Sequence, residues 1–240
     1  MTQLVFRDDA YRRGCETRIV AVHRSDAAVA VELDATVFYP MSGGQAGDTG
    51  VLRISGGIAL RVSDTRKGEE SDRVLHLLAP DADPPAIGAQ VTAEIDWERR
   101  YRHMRMHTCM HLLCAVVAAP VTGGRIGEDK AHLDFDIEMD KLDKEAIEKH
   151  LNELIEGAHA ATLRWIDSAE LEASPQLVKT MSVAPPRGEG RVRLLEIQGV
   201  DLQACGGTHV ANTHEIGRVQ VARIRSEGKR NKRVTVAFAT

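Results

Sequence analysis

The chain has 240 residues, 43% of them apolar and 28% charged, with a net charge of −4, the profile of a globular protein able to bury one large core or two modest ones. Its longest apolar run, LLCAVVAAPV, falls far short of the roughly 20 residues that cross a bilayer, and MTQLVFRDDAYRRG lacks a signal peptide's apolar core; a cytoplasmic protein with no membrane partner is expected. The four cysteines, Cys15, Cys109, Cys114 and Cys205, form no CxxC pair and no regular framework, which argues against a disulfide-built fold. From residue 17 to 95, short Val-, Ile- and Ala-rich runs (TRIVAVH, AAVAVEL, IALRVSD, VTAEID) alternate with turn residues, as in a small all-β sandwich or barrel. Pro84 and Pro85 make LAPDADPPAIG a loop.

The texture changes at Asp96, which divides the chain into expected domains of residues 1–95 and 96–240. ERRYRHMRMHTCMHLLCAVVAA (98–119) contains no Gly or Pro and reads as one helix stopped by Pro120. A second helix is expected over about 141–160, with Ile147, Leu151, Leu154, Ile155 and Ala158 inward and Lys144, Glu148, Lys149, Asn152 and Glu153 outward. Between them AHLDFDIE alternates strictly, placing Leu133, Phe135 and Ile137 on one strand face. Further strands are expected at RVRLLEIQ, GRVQVARIRS and KRVTVAFA, so the second half is α+β, helices over a largely antiparallel sheet.

Two short stretches carry potential ligands. In HTCMH, His107 and His111 lie one helical turn apart and can reach one ion together, although two histidines on a semi-polar face would look the same. In CGGTH, Cys205 and His209 flank Gly206 and Gly207, whose freedom suits a tight turn presenting both side chains. Imidazoles plus a thiolate, with no acidic ligand, suit zinc rather than calcium or magnesium. Thr108 stands where a zinc protease of the HExxH type carries its glutamate, and no HxE with PCxxC of a nucleobase deaminase is present. Four candidate ligands, taken alone, favour a closed structural site slightly over a catalytic one. His23, His76, His132, His150, His159 and His214 have no partner at ligand spacing and read as structural or surface residues.

Charge is uneven along the chain. Residues 1–95 carry 10 basic and 14 acidic side chains and residues 96–240 carry 21 of each, yet after residue 215 Arg218, Arg223, Arg225, Lys229, Arg230, Lys232 and Arg233 face Glu227 alone. Such a local basic region can meet phosphates on an acidic protein, or be a solvated strand and turn. With nine aromatic residues in all, broad base stacking is not expected. MSGGQAGDTG lacks the Lys and Ser or Thr of a P-loop and opens no helix.

The wording around the ligands, RMHTCMHLL and CGGTHVANTHEIG, resembles the paired motifs of the alanyl-tRNA editing domain shared by alanyl-tRNA synthetases and free-standing AlaX deacylases. ATVFYPMSGGQAGDTG, IDWERRYRHMRMHT and SEGKRNKRV are similar to further segments of that family, in the same order over nearly the whole chain. There is no room for an aminoacylation domain. Two positions depart from the family pattern: Cys109 stands where Ala is expected, and Arg125 lies near a position that often carries Gln in synthetase editing domains.

The resemblance implies an α+β fold, a small N-terminal β-barrel followed by an editing domain, of the medium-length type. It implies a zinc-dependent deacylase that hydrolyses mischarged tRNA(Ala), chiefly Ser-tRNA(Ala) and also Gly-tRNA(Ala), recognised at the acceptor end, with no obligate protein partner. One zinc per chain would be held by His107, His111 and Cys205, with His209 either a fourth ligand or a partner for water, and would activate water or clamp the substrate. Tyr39, Gln45 and Arg125 are the expected substrate contacts, and Lys229, Arg230, Lys232 and Arg233 the expected tRNA contacts. A zinc-closed module that grips tRNA without turnover and a hydrolase of small esters are the competing readings.

Overall fold

The short runs before residue 95 form nine strands in the computed structural model, which describes residues 2–25, 28–54, 57–68, 73–174, 177–178, 187–188 and 190–239. They are β1 (Gln3–Leu4), β2 (Gly14–Arg24), β3 (Val29–Leu33), β4 (Ala35–Thr36), β5 (Gly50–Ile54), β6 (Ala59–Val62), β7 (Asp64–Lys67), β8 (Val74–Leu78) and β9 (Gln90–Ile95). Then follow α1 (Trp97–Val117), β10 (Val121–Ile126), β11 (Lys130–Asp136), α2 (Lys144–Glu156), β12 (Ala161–Asp167), α3 (Ser168–Ala173), β13 (Arg187–Gly188), β14 (Arg191–Ile197), β15 (Asp201–Ala204), β16 (Val219–Ser226) and β17 (Asn231–Phe238). The chain forms two compact units, Met1–Tyr101 and Arg102–Thr240. No helix among the described residues is long and apolar enough to cross a membrane.

In the first unit seven strands run in the order β6-β5-β9-β2-β3-β8-β7. Two continuous runs bend this sheet nearly into a barrel. The first half of β2 pairs with β9 and, past an irregularity between Ile19 and Ala21, the second half pairs with β3. Likewise β6 and β7 are interrupted only at Ser63, one pairing with β5 and the other with β8. Alternation sends Ile19, Val31, Leu33, Leu52, Val62, Val91 and Ala93 inward, where they pack with Phe38.

The glycine-rich segment is shaped by close backbone approach. Ser42 and Gln45 bridge through paired backbone hydrogen bonds (3.1 and 2.9 Å) around Gly43 and Gly44, whose φ values of +55° and +81° suit a tight hairpin turn. At Gly50 a Cβ would fall 2.1 Å from the Glu94 carbonyl oxygen and 2.8 Å from Ile95 Cα. Asp48 anchors the segment. Its carboxylate accepts from the Tyr39 N–H (2.7 Å) and from the buried Arg100 guanidinium, which also donates to the Ala10 (2.9 Å) and Val37 (2.6 Å) carbonyls.

In the second unit β10-β11-β17-β16 form one antiparallel sheet, while β12, β13 and β15 all pair with β14 in another. Helix α1 ends at Val117 because Ala118 turns to φ +52°, just before Pro120. Helix α2 is shorter than its apolar pattern suggests. Asp143 caps it by accepting from the Ala146 N–H, Met139–Lys141 forms a separate 3-10 turn, and Ala158 at φ +53° lies beyond its end. Ile147, Leu151 and Ile155 are buried as expected, but Glu148 and Asn152 do not simply face solvent. Glu148 accepts from the Val221 N–H (2.8 Å), and Asn152 pairs with both backbone groups of Val219, so polar residues of α2 fasten the edge of β16.

Two predictions follow from the barrel. Gly50→Ala places its methyl against backbone that cannot swing aside, so the urea midpoint should fall by an amount equivalent to about 1–3 kcal/mol; an unchanged midpoint would remove the steric account. Burial pushes the His76 imidazole from 6.5 down to about 4, its ring nitrogens meeting Val31 O (3.0 Å) and Thr36 Oγ1 (2.8 Å). The unfolded chain therefore binds a proton that the folded chain excludes between these two pH values. This contribution is complete above pH 6.5 and is lost as pH falls towards 4, on the order of 3 kcal/mol in all. Unfolding titrations of His76→Gln should show a shallower pH dependence than the parent protein across that window.

Candidate metal centre

The helical period of α1 and the turn after β15 bring the two histidine-containing stretches together. The donor atoms of His107, His111, Cys205 and His209 all lie within 4.8 Å of one another. Cys205 Sγ is 3.6 Å from His107 Nε2 and 3.2 Å from His209 Nε2. Tetrahedral zinc with ordinary Zn–N and Zn–S bonds separates its ligand atoms by roughly 3.3–3.6 Å, so the donor set suits the ion in chemistry, and the two Cys205–His distances are close to that spacing. The three imidazoles are only 5–6% exposed, whereas Cys205 keeps partial exposure.

Outer partners fix which ring nitrogen faces inward. Asp201 Oδ2 lies 3.3 Å from His111 Nδ1, and because a carboxylate only accepts, the proton sits on Nδ1 and the Nε2 lone pair is left for a metal. Thr108 gives its hydroxyl proton to Met104 O (2.9 Å) and so accepts from His209 Nδ1–H (3.3 Å) and from the Val210 N–H (3.2 Å). Gln203 in turn donates to Asp201. Sequence reasoning missed Asp201 and Gln203, although the alternation of DLQA placed both on one face of β15.

The CGGTH turn is held from outside. Arg193, 3% exposed, donates to the carbonyls of Cys205 and Gly207. Gly206 and Gly207 are not among the glycines with positive φ, so the turn does not use the left-handed freedom expected of them. The rest of the motif is a clamp. Asn212 and Glu215 form a capping box on the turn Thr213–Ile216, Thr213 donates to Leu154 O (2.9 Å), and Arg105 of α1 donates to Ile216 O.

Electrostatics favour a charged sulfur. Burial alone would raise the Cys205 thiol, but His107, His209 and His111 together hold it well below 9.0. Burial lowers His111, yet the Cys205 charge and the Asp201 hydrogen bond outweigh it and bring this group up to about 9. Burial dominates at His209, pushed down to about 3. Cys109, with burial driving its thiol up to about 12, is an inert core side chain and not a fifth ligand.

The other expected site residues are placed as follows. Tyr39 and Gln45 are buried in the first unit, where the Tyr39 hydroxyl donates to Ser42 O (2.9 Å). Arg125 is exposed on β10 opposite His132. Lys229 and Arg230 are exposed in the β16–β17 turn, Arg230 pairing with Asp136 (2.6 Å). Arg233 is held by Asp134 and Glu227. Lys232 is turned inward: it is 4% exposed, and its ammonium donates to the Gly228 (2.6 Å) and Lys229 (2.8 Å) carbonyls.

Residues 192–235 match the threonyl and alanyl tRNA synthetase second additional domain, and residues 14–99 match the class II (A) tRNA synthetases. An alanine–tRNA ligase of Saccharolobus islandicus is 31% identical over 93% of this chain, which spans 25% of that enzyme. The chain is thus similar over nearly its whole length to part of an alanine–tRNA ligase. An alanyl-tRNA editing protein AlaX-M of Methanosarcina mazei is 35% identical over 98% of this chain and 95% of its own length, and one of Saccharolobus solfataricus is 34% identical over 98% of each. The chain belongs to the AlaX-M alanyl-tRNA editing protein family.

If Asp201 orients His111, Asp201→Ala should weaken zinc binding by roughly 10–100-fold in a chelator competition while the circular dichroism spectrum is retained. An affinity equal to that of the parent protein would show that the carboxylate is not needed to aim the ring.

Proposed function

We propose that the protein is a trans-editing hydrolase that deacylates mischarged tRNA(Ala), chiefly Ser-tRNA(Ala) with Gly-tRNA(Ala) as a second substrate, using a zinc ion held by His107, His111, Cys205 and His209. The observation that carries this reading is the convergence of the four donors within 4.8 Å in a chain whose near full-length relatives are named alanyl-tRNA editing proteins. An alanine pocket discriminates poorly against one added hydroxyl or one missing methyl, differences worth roughly 1–3 kcal/mol, so such errors call for a second, hydrolytic site. A site that pairs the serine hydroxyl with buried polar groups leaves those groups unpaired with alanine, which reverses the preference.

Zinc would supply Lewis acidity towards the ester carbonyl or a water molecule. The chain's own residues set the stage for it. Asp201 and Thr108 hold the His111 and His209 rings with Nε2 inward, and Arg193 fixes the carbonyls on either side of Gly206. Cys205 and Gly206 are the partly exposed part of the turn and give the ester its approach. Lys229 and Arg230, exposed in the β16–β17 turn, are the proposed tRNA contacts retained from the basic segment. Lys232 shapes that turn from within.

Purified protein should deacylate Ser-tRNA(Ala) at least 10-fold faster than Ala-tRNA(Ala), leave Thr-tRNA(Thr) largely charged, and lose activity with a chelator. Cys205→Ala and His107→Ala should each lose bound zinc and deacylation together. Full activity in a demetallated Cys205→Ala/His107→Ala protein would discard the catalytic zinc, and tight tRNA binding with the metal present but no turnover would make this a closed binding module. Free aminoacyl esters cut as fast as charged tRNA would instead indicate a small-ester hydrolase.

A further inference from the structure

The register of β10-β11-β17-β16 assembles a basic face that the linear sequence scatters over more than a hundred residues. Arg125 lies opposite His132, His132 opposite Thr235, and Thr235 opposite Arg223, which makes one row across all four strands. Directly opposed residues share a face, as do residues two apart along a strand. The neighbouring row on this face is therefore Gly123, Asp134, Arg233 and Arg225. The alternate residues Leu133, Val234 and Val236 are buried on the opposite face.

The side chains agree with this placement. His132 is lowered first by its burial and then by the charge of Arg233, with Asp134 opposing and Arg125 and Arg225 adding to the effect, so it feels the charges of both rows. Two of these residues are held internally: Arg233 by Asp134 (2.7 and 2.8 Å) and Arg225 by Glu227. Arg125 and Arg223 are different. Both are exposed, and neither side chain has a hydrogen bond or ion pair among the described residues. They stand on the two edge strands, three strand spacings or about 14 Å apart, with only Thr235 and the partly buried His132 between them.

We propose that this outer sheet face binds the sugar-phosphate backbone of RNA, with Arg125 and Arg223 as its two phosphate contacts. The inference deepens the editing reading by naming the surface that holds the tRNA, and it gives Arg125 a role in place of amino-acid recognition. Charge complementarity commits the face to a polyanion. Arg225 and Arg233, positioned by their carboxylates, shape the field between the contacts, and the half-buried Thr235 and His132 leave the middle of the row without a charged side chain in the backbone's path. A guanidinium matches two phosphate oxygens at once and stays charged at any working pH.

Uncharged tRNA(Ala) transcript is titrated with the zinc-loaded protein by fluorescence anisotropy from 50 to 300 mM NaCl. Arg125→Glu/Arg223→Glu is compared with Lys144→Glu/Lys149→Glu on α2, a control with the same charge change. The sheet variant should bind at least 10-fold more weakly at 100 mM salt, its slope of log K against log salt should fall by about 1.5–2, and the control should stay within 2-fold of the parent. Arg125→Gln/Arg223→Gln should show the same slope loss, with the melting temperature and zinc content of the parent. For Ser-tRNA(Ala) the sheet variants should raise KM and leave kcat unchanged. A parent enzyme that deacylates Ser-tRNA(Ala) while both sheet variants keep its affinity, KM and salt slope would overturn the surface assignment alone. A parent that binds tRNA through these arginines without any turnover would keep the surface and remove the hydrolase.

Discussion

Everything in the second unit answers to one constraint: a thiol and three imidazoles are crowded into a volume where their donor atoms stay within 4.8 Å. In water these groups repel, hydrate and rotate freely; buried, each lone pair must point at a cation or a proton. The three imidazoles hold the Cys205 thiol low, and Cys205 and Asp201 hold His111 high, so the cluster favours a negative sulfur beside positive charge. A divalent cation held by His107, His111, Cys205 and His209 would satisfy the same negative sulfur and give the imidazole lone pairs a common acceptor. The price is orientational order, and the surroundings supply it: Asp201 behind His111, Thr108 behind His209, Arg193 behind the turn. Thr108 lies between His107 and His111 on α1 and faces His209, so a hydroxyl stands where a zinc protease of the HExxH type would carry its glutamate.

The first unit solves a comparable problem with a fixed charge. Arg100 and Asp48 are both fully buried, which would be costly for either alone. The pair persists because the guanidinium's remaining protons reach the Ala10 and Val37 carbonyls, while the carboxylate also receives the Tyr39 amide. Three separate stretches of chain are thereby pinned to the first turn of α1. In the glycine-rich segment Gly43 and Gly44 serve the turn, while Gly47 and Gly50 mark places where another strand comes too close for a side chain. A phosphate cradle needs amides pointing outward; here the Tyr39 amide, and that of Asp48 bonded to Tyr39 O (3.0 Å), are already spent inside the loop.

What could be read from the sequence follows from how local each signal is. The spacing of His107 and His111 is fixed by the α-helical period, and thiol-imidazole chemistry admits few metals, so the two stretches could be singled out together as candidate ligands without coordinates. The alternation of β11 was visible for the same reason, and β2 and β17 were visible as apolar, β-branched runs. Asp201 and Gln203 were not, because what they do is decided by the pairing of β14 with β15 and by which ring happens to lie across from them. Glu148 and Asn152 were misread because amphipathic patterning treats every polar side chain as solvent-facing, whereas an edge strand with unpaired amides is an equally good partner for it. Lys232 was grouped with its basic neighbours by composition, although the period-two pattern of KRVTVAF puts it on the face of Val234 and Val236.

That same alternation bears on how a protein of net charge −4 can meet a polyanion. Screening limits an exposed charge to about 8–10 Å at physiological ionic strength, so an approaching phosphate responds to the few groups beneath it and not to the total. Antiparallel pairing concentrates what the sequence spreads out: Arg125 and Arg223 are almost a hundred residues apart in the chain, yet register sets them in one row. The acidic side chains near that row, Asp134 and Glu227, are engaged with Arg233 and Arg225 and stiffen them as much as they neutralise them. A sheet whose inner face is Val234, Val236 and Leu133 cannot yield its outer residues to the core, because a shift of one position would expose the apolar set and bury the arginines. The hydrophobic register that folds the unit therefore also fixes the positions of its surface charges.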